Sequence, residues 1–193
     1  MYRLMALPIV LLSANLLALN LPPNYKTGEN VNYSERSISL ITPESTGFRF
    51  AHQSMADDSV KAPNFWITSC YETFEKGIKI PVCLIQAMDY KLEKTTLSVL
   101  VSKDSSFPVF EGKMTQKNLK EINFKIDNDK ITTFSDWRTI YVMQNTIVNR
   151  MLTGNKMDFS YKYELNSKYI SRTIDLTNFK ENYEFAKQVV DAN

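Results

Sequence analysis

The chain has 193 residues, 44% apolar and 23% charged, with five glycines and seven prolines. That is one domain of ordinary globular sequence, which excludes collagen-like, low-complexity and multi-span membrane architectures. A formal net charge of +2 is far from the dense basic face that holds a phosphate backbone, so nucleic acid is not an expected partner.

Residues 1–20 carry an early positive charge, Arg3, and then an apolar run from Leu4 to Leu19 broken by Pro8, Ser13 and Asn15. The run is shorter than the roughly 20 apolar residues a spanning helix needs, and Pro22-Pro23 follow it. It reads as a signal peptide over residues 1–20, with Ala14 and Ala18 as the small residues that can precede a cut. An uncleaved N-terminal anchor is the alternative. On the first reading the protein is periplasmic or secreted, and no integral membrane domain remains once the leader is removed.

Residues 21–63 read as an N-terminal extension, rich in Pro, Asn and Ser, that partly packs on the main domain. A mobile linker is the other possibility. Two strand candidates lie within it, Ser37–Ile41 and Gly47–Ala51, with a turn at Pro43-Glu44-Ser45-Thr46.

The main domain is expected over residues 64–193. Asn64–Tyr71 and Val82–Met88 read as partner strands around Gly77. They carry Cys70 and Cys83, the chain's only cysteines, with twelve residues between them. In an oxidising compartment this spacing suits a disulfide between neighbouring strands, worth about 3 kcal/mol in the chain-entropy model. Two buried free thiols are the alternative.

Thr95–Ser102 places Leu97, Val99 and Val101 on one face, the mark of a core-facing strand. Phe107–Glu111, Leu119–Ile126, Asp136–Val142, Met157–Tyr163 and Tyr169–Leu176 complete the predicted strands. Asn145–Leu152, stopped by Gly154, predicts a short helix. Asn178–Val190 predicts a C-terminal helix, capped by Asn178 with Glu181 as a capping-box partner. Its apolar stripe is Phe179, Tyr183, Ala186 and Val190. About eight strands with two short helices and no βαβ rhythm give a mainly β fold, a sandwich or barrel.

Chemistry is sparse. One His and two Cys cannot build a four-ligand Cys/His zinc site, and neither phosphate-loop pattern occurs, so no cofactor or metal is expected. His52 has no nucleophile motif beside it, and Cys70 is expected to be oxidised. Asp57/Asp58 and Asp127/Asp129 read as loop acids rather than a glycosidase pair. Asp127-Asn128-Asp129 lacks the glycine and the distal Glu of a calcium loop. The 23 aromatics read mainly as core, with Tyr161, Tyr163 or Tyr169 available to a protein-binding face.

Several short elements resemble the invasion-associated locus B family of exported bacterial proteins. They are Trp66-Ile67-Thr68-Ser69-Cys70, Cys83-Leu84-Ile85-Gln86, Leu97-Ser98-Val99-Leu100-Val101 and Phe124-Lys125-Ile126-Asp127. The helix from Ile147 to Gly154, the strand Met157–Tyr163 and Asp175-Leu176-Thr177-Asn178-Phe179 follow in order. The chain departs from the family in lacking a second cysteine pair near residues 137–145 and in having Asn178 where Gly is usual. The resemblance implies an immunoglobulin-like β-sandwich, a periplasmic or surface location, and no catalytic residues to carry over.

The expectation is therefore an exported, non-enzymatic β-sandwich that binds an unidentified protein partner. The rival expectation is a periplasmic immunity protein or inhibitor of an exported toxin. A hydrolase would require two facing carboxylates with raised pKa.

Overall fold

A computed structural model describes residues 19–23, 25, 28–32, 37–44, 47–54, 64–75, 77–89, 94–110, 121–135, 137–162 and 168–193. Most of the expected leader, the Asp57/Asp58 pair and Tyr163 lie outside these residues. The fold is mainly β: among the described residues it has two antiparallel sheets and two helices.

Sheet A has seven strands: β1 (Gly28–Asn32), β2 (Ser37–Glu44), β3 (Gly47–Ser54), β4 (Asn64–Glu75), β5 (Ile78–Asp89), β6 (Lys94–Val101) and β7 (Ser106–Phe110). They lie side by side in chain order, a continuous meander. This connectivity differs from the Greek-key order of an immunoglobulin domain. Segment 21–63 supplies β1 to β3, and β3 pairs directly with β4, so these strands share the main sheet. The long β4–β5 hairpin turns at Gly77, whose φ of 81° is readily open only to a residue without Cβ.

Sheet B has the order β11 (Ile170–Asp175), β10 (Lys156–Lys162), β8 (Glu121–Ile126), β9 (Thr132–Phe134). Strict alternation buries Ile122, Phe124, Ile126, Met157, Phe159 and Tyr161 on one face. Tyr161 therefore belongs to the core and not to an exposed binding face. The buried residues of both sheets and both helices form one contiguous core.

Helix α1 spans Trp137–Met151, so the segment expected as the strand Asp136–Val142 is helical from Trp137 onward. Its buried residues are Ile140, Ile147, Val148 and Met151, while Tyr141 and Val142 are exposed. Those spacings follow a 3.6-residue period over the whole segment. The short run of β-formers is a weak local preference, and burial of the helical stripe overrides it. At the helix exit, a Cβ on Gly154 would lie 2.3 Å from Ile126 Cγ2 and 3.2 Å from the Arg150 carbonyl oxygen, which leaves no room for a side chain.

Helix α2 (Phe179–Ala192) lies across β3 to β6. Phe185 stacks on Phe50 at 4.5 Å between ring centroids, and Phe179 meets Trp66 at 4.9 Å. The capping box expected from Asn178 and Glu181 does not form: the Asn178 side chain makes no cap bond. Asn178 instead takes a left-handed conformation, φ 66°, which Asn tolerates better than most residues. The buried surface of α2 is wider than the expected stripe, including Asn182, Phe185 and Val189.

Asn64 and Trp66 join the sheets. The Asn64 amide donates to the Asp175 carbonyl at 3.2 Å and accepts the Asp175 N–H at 2.8 Å. The Trp66 indole N–H reaches the same carbonyl at 3.1 Å.

Candidate functional site

Cys70 and Cys83 face each other in register on β4 and β5 and form a disulfide. The bridge is buried beneath α2, with Cys83 Sγ 3.6 Å from the Ala186 carbonyl oxygen. Its surroundings are apolar and closed, as for a structural bridge, whereas a redox-active one needs an accessible, electropositive sulfur.

Of the acids noted in the sequence, Asp127 and Asp129 have structural duties. Asp127 sits in the turn after β8 with φ 49°. Its carboxylate accepts the backbone N–H of Asn155 at 3.1 Å and of Lys156 at 2.9 Å, tying that turn to the start of β10. Asp129 pairs with Arg150 of α1. His52 is in β3, in register with Trp66. Among the described residues no cluster of three or more metal-ligating side chains is present.

The outer face of sheet B is an organised polar surface. The alternation that buries one face of β8 and β10 sends Glu121, Asn123, Lys125, Asp158, Ser160 and Lys162 to the other. Strand pairing arranges them in rungs. Lys125, Asp158 and Thr173 share one rung; Asn123, Ser160 and Ser171 share the next; Glu121 and Lys162 form a third, closed by Tyr169.

The two charged rungs are internally satisfied. Thr173 donates to Asp158 at 2.6 Å, and Lys156 and Lys125 lie at 3.2 and 3.7 Å from the same carboxylate. Burial pushes the Asp158 carboxyl up, but these partners outweigh it and hold it below its ordinary value. Glu121 accepts hydrogen bonds from the Tyr169 hydroxyl and from Asn123, and Lys162 lies at 3.1 Å. The Tyr169 bond, then those of Asn123 and Lys162, hold Glu121 down to about 2. The middle rung is hydroxyl and amide, with Thr133 of β9 donating to Asn123 at 2.6 Å.

A shallow concavity of about 380 Å³ opens over this face, rimmed by the exposed side chain of Ile131. Of the candidate binding residues singled out in the sequence, Tyr169 lies on this face beside the third rung, exposed and with Lys162 over its ring. The rest was hidden because each strand alone shows only polar alternation, and only register makes it a surface.

These features define a class: a mainly β, two-sheet domain stapled by one buried disulfide and presenting a paired polar face. Comparison with protein-family models, curated proteins and solved structures finds no match to this chain. No helix among the described residues is long and apolar enough to cross a membrane.

Proposed function

We propose that this protein is exported and works without catalysis, by binding a protein partner in the periplasm or at the bacterial surface through the outer face of sheet B. The carrying observation is the set of three rungs, whose charges are fixed by one another before any partner arrives. Preset groups reduce the ordering cost of association. The exposed Tyr169 and Ile131 provide apolar area beside them, and Tyr is a favoured interface residue. Both carboxylates are held ionised, below their ordinary range. Such groups are poor proton carriers at neutral pH, where a general acid or base needs a pKa near the working value. The buried disulfide supports export, since such bridges persist in oxidising compartments.

The test is site-specific photo-crosslinking in cells that make the protein, with the probe at Ser171 and a control at Phe74, exposed at the far tip of the β4–β5 hairpin. A discrete heavier adduct is expected from Ser171 and is lost on Lys162→Glu. Adducts from Phe74 alone, or none from Asn123, Ser160 and Ser171, would refute the assignment of this face.

A further inference from the structure

We infer that the chain is cut between Ala18 and Leu19, and that the N-terminus so released is a working part of the fold, seated on the C-terminal end of α2. The inference rests on the export proposed above and specifies what export does to the chain.

The observation is the depth at which residues just after Ala18 are built in. Leu19 is only 3% exposed and belongs to the core. Asn20 is held on both sides by one side chain: its N–H donates to Asn193 Oδ1 at 2.8 Å, and Asn193 Nδ2 donates to its carbonyl at 3.1 Å. The same Nδ2 also reaches the Val189 carbonyl at 2.8 Å, near the end of α2. Tyr25 closes a turn onto the Pro22 carbonyl at 2.9 Å and packs its ring edge-on against Phe185 and Phe50. Residues 19–25 thus carry a buried anchor, a two-sided amide clamp and an aromatic contact, all directed at α2 and β3.

The possible cuts differ in what they leave. A cut after Asn20, where the apolar character of the leader fades, removes the Leu19 anchor and empties the Asn193 clamp. A cut after Ala14 leaves Asn15-Leu16-Leu17-Ala18 in front of a seat already filled by Leu19. A cut after Ala18 keeps every contact, and Ala18 supplies the small residue directly before the cut, with Leu16 in place of the small residue usual two positions earlier.

Charge favours the same bond. Water adds across the Ala18–Leu19 amide, leaving a carboxylate on the discarded leader and an ammonium on Leu19. That ammonium is adjacent to Asn20, at the C-terminal end of α2. The last turn of α2 has no basic residue, and Lys187, one turn earlier, is paired with Asp191 at 3.2 Å. Helix C-termini carry partial negative charge that a nearby cation stabilises. Cleavage therefore supplies a positive charge at a helix end that the sequence leaves without one.

The test is export of the full chain in a bacterial host, followed by intact mass and N-terminal sequencing of the periplasmic protein. The expected first residue is Leu19. A start at Leu21 or beyond, a start at Asn15, or an uncut chain in the periplasm would overturn the inference while leaving export intact. An uncut chain confined to the cytosol would overturn export itself. A second measurement addresses the seat: the protein beginning at Leu19 is compared in thermal melting with its Asn193→Ala variant and with a form acetylated at Leu19. Both changes are expected to lower Tm by a few degrees, and unchanged melting in both would show that the terminus contributes nothing.

Discussion

Asn64 and Asn193 each use a side-chain amide to hold both the N–H and the carbonyl of another residue, one at the junction of the sheets and one at the end of α2. An amide carries both a donor and an acceptor and can imitate a passing strand. Glu121 has chemistry well away from the ordinary. Its carboxyl lies at about 2 instead of 4.5, chiefly through Tyr169. A depressed carboxylate contributes stability that is complete above its unfolded value and is lost as pH falls through the folded one. The third rung should therefore be intact above about pH 4.5 and weaken between that value and about 2. Tyr169→Phe removes the leading cause, so the Glu121 titration followed by NMR should move upward toward 4.5. An unchanged midpoint in the variant would remove Tyr169 from the rung.

At the scale of elements, α2 is held by more than apolar contact. Thr68 of β4 donates to Asn182 Oδ1 at 2.8 Å in the buried interface, and Asn182 Nδ2 donates to the Asn178 carbonyl at 2.9 Å. Removing either side chain orphans a buried partner, at about 1–3 kcal/mol. Thr68→Val and Asn182→Leu should each destabilise by about that much in urea denaturation. The double variant should cost less than their sum, because neither change then leaves the other side chain orphaned. Strict additivity would show that the two groups do not interact. This contact is invisible in the sequence, where apolar residues alone mark the stripe of α2. β6, β8 and β10 are legible because period-two alternation marks a core-facing side, and β4 because aromatic and β-branched residues gather in Asn64–Tyr71. The first half of α1 was not, because DWRTIYV has the composition of a strand, and its helical period emerges only when Ile140 is counted with Ile147, Val148 and Met151. The sequence marks Asn178 as a side-chain cap, but its left-handed backbone turns the chain into α2 without one.

At the scale of the whole molecule, a meandering sheet and a smaller second sheet share one core, and the Cys70–Cys83 bridge lies inside it. The cysteine pairing was readable from spacing and from the expected compartment. The polar face was not, because its rungs are made by register between strands separated in the chain. With a sequence separation of 13, losing the bridge should cost about 3 kcal/mol in the chain-entropy model. The stapled fold is what the proposed export would produce, since a reducing cytosol keeps such thiols free. The decisive measurement is to acid-quench cells expressing the full chain, alkylate free thiols at once, and map the peptides without reduction. The peptides holding Cys70 and Cys83 should travel as one species and take up alkylating agent only after reduction; alkylation of both cysteines before any reduction would contradict the account.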